Sequence, residues 1–391
     1  MSPAGVVLTL NAGSSSIRFA AFEARQPARR LWWGKLDRPG THRAHLSVHG
    51  LKDADALAPV FGESAALDTA ARLVRWLYDR EPQWLAVGHR VVHGLSAAGP
   101  RRIDEALLES LRALVPFDPE HLPQELMLID EARAARPGVA QWACFDTSFH
   151  HDMPAVAQRL PIPRRFFDLG VRRYGFHGLS YQHLVEELHH IGDPAASSGR
   201  VVLAHLGNGA SVAAVLDGRS IDTSMALTPT AGLIMGSRSG DLDPGLAGYL
   251  ARTQGMSLEQ FSTMVNRESG LLGISGISSD MRELLARESR EPAAAEAIEA
   301  FCYQARKWIA SMTAALGGID LLVFSGGIGE NLAVIRERIC NGLGFLGVGV
   351  DSALNAARAP IISPPEADVR VRVIAADEEL MIANAVVRSL S

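Results

Sequence analysis

Lysine is almost missing from this 391-residue chain: it stands only at Lys35, Lys52 and Lys307, while arginine is plentiful. Contacts to any phosphate group must therefore come from arginine, backbone N–H groups or a metal ion. Cysteine is scarce too. Cys144, Cys302 and Cys340 are an odd, widely spaced set without metal-type pairing, and they read as reduced core residues rather than a disulfide framework. No apolar run approaches the ~20 residues that span a bilayer. No basic leader precedes the strand that begins at Val6, so the expectation is a cytoplasmic protein. A basic face is lacking as well: the formal charge of -5 gives no reason to expect nucleic acid.

What is present describes a globular protein. Hydrophobic residues make up 47% and charged residues 21%, and the length favours two domains over one. Val6–Leu10, the turn Asn11-Ala-Gly-Ser-Ser-Ser16 and Ile17–Phe22 read as a β-hairpin around a Gly/Ser-rich turn. A second copy runs from Val201 through Gly207-Asn208-Gly209 to Leu216, with Gly13 and Ser15 falling on Gly209 and Ser211 at an offset of 196. A repeat at half-length points to duplication of one α/β unit. Strand and helix signals alternate between the copies: a helix over 65–80, a buried strand over Trp84–His93 and a short strand over Gln141–Phe145 closed by Asp146. The apolar period predicts a helix over Glu296–Leu316, stopped by Gly317-Gly318. A strand over Ile319–Phe324, a loop over Ser325–Asn331, a strand over Val371–Ile374 and a last helix opened by Asp377-Glu-Glu follow. The domain boundary is expected near residue 148, giving lobes 1–147 and 148–379, with the terminal helix 380–391 returning to the first.

Three Gly-rich turns follow apolar strands: Asn11–Ser16, Gly207–Gly209 and Gly326–Asn331. Glycine lets successive N–H groups approach phosphate oxygens, though any hairpin also uses it. None fits the P-loop pattern, and no Lys-Ser/Thr pair follows any of them. Isolated charges in apolar surroundings add a second signal. Arg90 lies inside a strand, Asp146 ends one, and Arg238 and His177 stand among glycines and small residues. A buried charge is costly unless paired, so each demands a partner or a ligand; for Arg90 the bland alternative is an ion pair bridging the lobes.

These residues stand in motifs that resemble the acetate/propionate kinase family along the whole chain. The motifs are Asn11–Ser16, the unbroken His205-Leu-Gly-Asn-Gly-Ala-Ser211, Gly88–Gly94, Phe145–Thr147, Arg172–Gly178, Asp222–Met225, Met235–Asp241, Gly270–Gly276 and Ser278–Asp280. The resemblance implies an α/β fold of two duplicated actin-like (ribonuclease H-like) lobes with the active site in the cleft between them. It implies Mg²⁺-dependent phosphoryl transfer between ATP and acetate, giving acetyl phosphate and ADP, with Mn²⁺ as an alternative ion and a homodimer as the assembly.

Roles follow by position. The resemblance assigns Asn11 and Glu378 to the metal, Arg18 to a nucleotide phosphate in place of the usual lysine, and Arg90 to the substrate carboxylate. His177 and Arg238 would stabilise the transferring phosphoryl group, and Asp146 is the family's active-site acid. The ATP site would be lined by His205, Leu206, Gly207, Asn208, Gly209, Asp280, Met281, Arg282, Gly327, Ile328, Gly329, Glu330 and Asn331. Val92, Phe117, Phe176 and Pro229 would form the acyl pocket. A carboxylate substrate is ionised at neutral pH and needs no base, so Asp146 is expected to organise Mg²⁺ and its waters.

One segment departs from the family. Its Pro-Leu-His-Asn-Pro is replaced by Pro116-Phe-Asp-Pro-Glu-His-Leu-Pro123, in which Phe117 narrows the pocket or His121 replaces the lost histidine. Propionate or butyrate therefore remains an alternative substrate. An actin-like sugar kinase and a non-catalytic nucleotide-binding regulator are readings from other classes.

Overall fold

The computed structural model describes residues 5–13, 16–37, 39, 44–51, 66–80 and 83–390. Ser14 and Ser15 of the first Gly/Ser turn, and Ala65 at the start of the first expected helix, lie outside the described residues. By contact the chain divides into two compact units, Met1–Ser148 with Asp377–Ser391, and Phe149–Ala376.

The first unit is built on a sheet of seven strands. β1 (Val6–Ala12), β2 (Ser16–Glu23), β3 (Arg29–Asp37) and β4 (His45–His49) form an antiparallel meander. β5 (Trp84–Val91) and β7 (Ala140–Phe145) extend β1 in parallel, and the two-residue β6 (Arg101–Arg102) pairs antiparallel with β7 at the edge. Residues on β1 alternate between the two faces, as the pleat requires. Leu8 and Leu10 join Phe19, Leu73, Trp76, Leu77 and Leu128 in one cluster, beneath helices Ala66–Arg80 and Leu122–Ala135. Val7 joins Phe22, Ala86, Ala383 and Val386 in another, beneath helix Glu378–Leu390. That helix lies so close to β5 that a Cβ on Gly88 would stand 2.4 Å from a methyl carbon of Ile382. Any larger residue there would push the helix away.

The second unit repeats the plan with five strands. β8 (Arg200–Leu206), β9 (Ala210–Leu216) and β10 (Arg219–Thr223) form the meander, and β11 (Leu321–Ser325) and β12 (Arg370–Val373) continue β8 in parallel. The orders β3-β2-β1-β5-β7 and β10-β9-β8-β11-β12 match strand for strand in direction. Duplication of one α/β lobe is thus visible in topology as well as in the twin hairpins. Helix Gly178–His190 covers one face through Tyr181, Leu184 and Leu188, packed on Val201, Leu203, Ala213 and Val323. The long helix Pro292–Leu316 runs along the sheet and buries Ile298, Phe301, Cys302, Ala305 and Ile309. All three cysteines are buried free thiols.

Two elements differ from expectation. The long helix begins one turn earlier, at Pro292, because proline's fixed φ suits a first helical position and its missing N–H costs nothing there. The stretch 326–331 is a short helix, Gly326–Asn331, rather than a loop. Gly326 takes φ +76°, beside the Leu206 carbonyl, which turns the chain from strand to helix in one residue. The Glu330 carboxylate then accepts from the Gly326 N–H at 2.9 Å and holds the turn closed.

Candidate functional site

In the first unit the parallel strands β1, β5 and β7 deliver Asn11, Arg90 and Asp146 to their carboxyl ends, where open α/β sheets place ligands. Arg90 is held on three sides. Its Nε and Nη2 donate to Asp146 Oδ2 at 3.0 and 2.5 Å, and its Nη1 donates to the Ala12 carbonyl at 2.7 Å and to Glu125 Oε1 at 3.3 Å. Both carboxylates belong to the same unit as Arg90, so this ion pair does not bridge the lobes. Asn11 donates its amide hydrogens to Glu378 Oε2 at 2.8 Å and Glu379 Oε1 at 2.9 Å, at the start of the terminal helix. Arg18, opposite Asn11 on β2, is exposed, and its charge acts on Glu379.

The protein has buried carboxylates here at a cost. Burial pushes the Asp146 carboxyl up; Arg90 opposes the rise and Glu378 adds to it. Burial likewise raises Glu125, to about 8, against the pull of Arg90 and of the Val92 N–H. Glu379 is raised by burial as well. For Arg90 burial works against the charge, but Asp146, Glu125 and Glu378 outweigh it and raise its pKa.

A magnesium ion fits this donor set. Asp146 is fully buried, and its Oδ1 has no hydrogen-bond partner among the described residues, an expensive arrangement unless something positive approaches. No group of three or more His, Cys, Asp or Glu side chains stands close enough to cage an ion among the described residues. Mg²⁺ keeps several waters and needs only one or two carboxylates beside substrate phosphates.

The departing segment also has a definite structure. Asp118, buried, accepts from the backbone N–H of Glu120 and of His121, and its carboxylate lies 3.0 Å from His121 Nδ1. Burial alone would raise its pKa; the hydrogen bonds and charge of His121 more than reverse that. His121 is thereby tied to its own turn. Phe117 is half-buried with its ring 5.6 Å from that of His93, and Val92 is buried.

In the second unit the functional groups gather over the β8–β9 turn. His177 is the N-cap of helix Gly178–His190, in the left-handed region at φ 60°. Its Nδ1 lies 2.8 Å from Ser211 Oγ, and its ring centroid is 4.3 Å from that of His205. Ser180 and His205 Nδ1 are 2.8 Å apart, and Tyr181 reaches Ser211 from behind. Arg238 is fixed through Nη1, which donates to the Pro229 carbonyl at 2.7 Å. A Cβ on Gly209 would stand 2.6 Å from Arg238 Nη2 and 3.2 Å from His177 Nε2. Only glycine lets both cationic-type side chains close over this backbone. Phe176 is buried, its carbonyl 3.2 Å from His150 Nε2; burial lowers His150 to about 4 and keeps that ring neutral.

The remaining nucleotide candidates surround the same turn. The Gly236 N–H donates to the Asn208 carbonyl at 2.9 Å, and a Cβ on Gly236 would lie 3.2 Å from the Ser279 carbonyl, just before Asp280. Asp280 caps helix Met281–Arg287, and the Arg282 guanidinium turns back onto it at 2.6 and 3.0 Å. Gly207 is near the Gly327 N–H, and Asn331 donates to the Gly327 carbonyl at 3.0 Å. Val92 and Phe117 belong to the first unit, Phe176 and Pro229 to the second.

The Acetokinase family model matches residues 6–384. The chain belongs to this family. An acetate kinase of Rhodopseudomonas palustris is 44% identical over 98% of both chains. Among solved structures, a propionate kinase from Francisella tularensis shares 35% identity with a TM-score of 0.87, covering 97% of this chain and 98% of its own. The Porphyromonas gingivalis acetate kinase shares 32% identity with a TM-score of 0.83, covering 99% of this chain and all of its own. Membership makes the chain a phosphotransferase of the carboxylate kinase type with ATP as co-substrate. No helix among the described residues is long and apolar enough to cross a membrane. Glu125, Glu379 and Tyr181 are site residues outside the candidates that the sequence motifs supply. Glu125 alone carried a usable signal, since it falls on the buried stripe Leu122, Glu125, Leu126, Ile129 of its helix.

Proposed function

We propose that this protein transfers a phosphoryl group reversibly between ATP and acetate, giving ADP and acetyl phosphate, with Mg²⁺ as the metal, as a cytoplasmic homodimer. The observation that carries this reading is the closure of Arg238 and His177 over Gly209, a turn next to Gly327 in the first turn of helix Gly326–Asn331. Two such side chains closing over a glycine turn form a receptor for a phosphoryl group, whose transfer depends on positioning and charge neutralisation.

Arg90 takes the substrate carboxylate. One carboxylate oxygen attacks the γ-phosphorus while the bond from phosphorus to the ADP oxygen breaks, and ADP leaves with that electron pair. No proton has to move, because acetate is ionised at neutral pH. His177 and Arg238 bind the equatorial oxygens, where charge spreads in the loose transition state. Asn11, Glu378 and Asp146 hold Mg²⁺, which when bound neutralises phosphate charge; Mn²⁺ offers similar oxygen-site chemistry. Arg18 and the residues around Gly207–Gly209, Asp280–Arg282 and Gly327–Asn331 hold the nucleotide.

A coupled assay of ATP-dependent acyl phosphate formation with acetate, propionate and butyrate tests the reading. Acetate is expected to give the highest kcat/KM, and absence of any acyl phosphate would reject the assignment. A preference for propionate would move the substrate within the class, a shift one methylene can produce at about 1–3 kcal/mol. Phe117 beside His93 is the residue whose truncation to alanine should favour the longer acids.

A further inference from the structure

We infer that Glu125 is a positioning residue for the acyl-substrate side: its carboxylate joins the Arg90 guanidinium to the Val92 backbone and sets both in one register. The inference rests on the reading of Arg90 as the carboxylate-binding group. Glu125 is 2% exposed, its Oε1 accepts from Arg90 Nη1 at 3.3 Å, and its Oε2 accepts from the Val92 N–H at 2.9 Å. Both partners are donors, so only a group with two acceptor oxygens satisfies them together.

Arginine has five N–H donors, and four are bound within the protein: two by Asp146, one by the Ala12 carbonyl and one by Glu125. The donor that these bonds leave is on Nη2. A substrate carboxylate therefore meets Arg90 through a single direction, which is useful only if the guanidinium cannot swivel. Asp146 holds one edge, and Glu125 holds the opposite nitrogen. The same carboxylate fixes Val92, so the charged contact and the proposed pocket wall move together or not at all.

The altered segment explains how the chain delivers this acid. Asp118 accepts from the Glu120 and His121 N–H groups and from the His121 ring, and its carbonyl receives the Leu122 N–H at 3.3 Å. This turn replaces a side-chain cap, which His121 does not supply, and starts the helix at Leu122. One turn on, Glu125 faces the sheet instead of solvent. The turn at Asp118–His121 thus builds the platform for Glu125.

The test compares wild type with E125M, which fills the same volume without an acceptor, and E125D, which keeps the carboxyl group on an arm one methylene shorter. KM for acetate is expected to rise about tenfold in E125M, the loss of a buried charge-assisted hydrogen bond, while KM for ATP stays within about twofold. E125D should show the same split more weakly, and it decides the matter if E125M does not fold. An acetate KM within about twofold of wild type in the folded variants, or equal rises for acetate and ATP, would overturn the inference. A wild-type enzyme that makes no acetyl phosphate would instead sink the carboxylate kinase reading itself.

Discussion

The two units share one strand order yet hold their functional groups by opposite means. In the first, Arg90 and Asn11 are pinned by carboxylates, the buried Asp146 and Glu125 and the half-buried Glu378 and Glu379. In the second, Arg238 is anchored by the Pro229 carbonyl, His177 by the Ser211 hydroxyl, and the floor is glycine backbone. A duplicated scaffold therefore fixes where groups emerge, at the same β-hairpin and the carboxyl ends of the same parallel strands. It does not fix their chemistry. Carboxylates suit a lobe that gathers a cation and positions a guanidinium; hydroxyl and carbonyl acceptors suit a lobe that receives a phosphoryl group.

The contrast breaks most severely at Arg238. Replacing it with alanine should lower kcat about a thousandfold, the scale of an arginine that stabilises transferring phosphate. A loss under about tenfold in initial rate would show that charge over the second turn is not what drives transfer. The corresponding glycines sharpen the same point. Gly209→Ala drives a methyl carbon to 2.6 Å from Arg238 Nη2, whereas Gly13→Ala meets the Ser16 carbonyl at 3.5 Å, an ordinary contact. The first should cost about a hundredfold in kcat through displaced groups, the second less than about threefold. Equal losses at the two positions would mean the twin turns do the same work.

On the carboxylate side, Glu378→Gln should raise the Mg²⁺ concentration needed for half-maximal rate about tenfold, without abolishing folding. Titration of the rate with Mg²⁺ checks this, and an unchanged requirement would remove Glu378 from the metal site.

Much of this arrangement is legible in the sequence. The twin hairpins at Val6–Phe22 and Val201–Leu216 announce duplication, because identical turn chemistry flanked by β-rich runs constrains the backbone locally. Arg90 and Asp146 stood out as charges in apolar strands, and both prove buried and bonded to each other. Glu125 and Glu379 did not stand out, because an acid in the first turn of a helix is ordinary dipole chemistry. Whether such a residue faces solvent or a sheet depends on how the helix packs, and that information is spread over residues distant in sequence. The short helix Gly326–Asn331 was missed for a related reason. Its glycines signal a turn, while its closure depends on one side-chain contact from Glu330.

The smallest expected effect concerns pH, and it follows from the cost of the carboxylate side. Two donors favour the ionised form of Glu125, from Arg90 and the Val92 N–H, but burial is larger and Asp118 and Asp146 add repulsion, so it titrates at about 8. An acid whose folded pKa exceeds its unfolded value contributes stability that is complete below the unfolded pKa and is lost as pH rises through the folded one. Asp146 and Glu379 are raised in the same direction, chiefly by burial. The melting temperature should therefore fall as pH climbs from the ordinary carboxylate range, near 4.5, toward about 8. Glu125→Gln, which carries no titrating proton, should flatten part of that slope and leave the remainder to Asp146 and Glu379. Thermal melts across this range, with nucleotide and Mg²⁺ absent, read the difference directly. A slope unchanged by Glu125→Gln would show that Glu125 carries no raised pKa and would leave the whole dependence to Asp146 and Glu379.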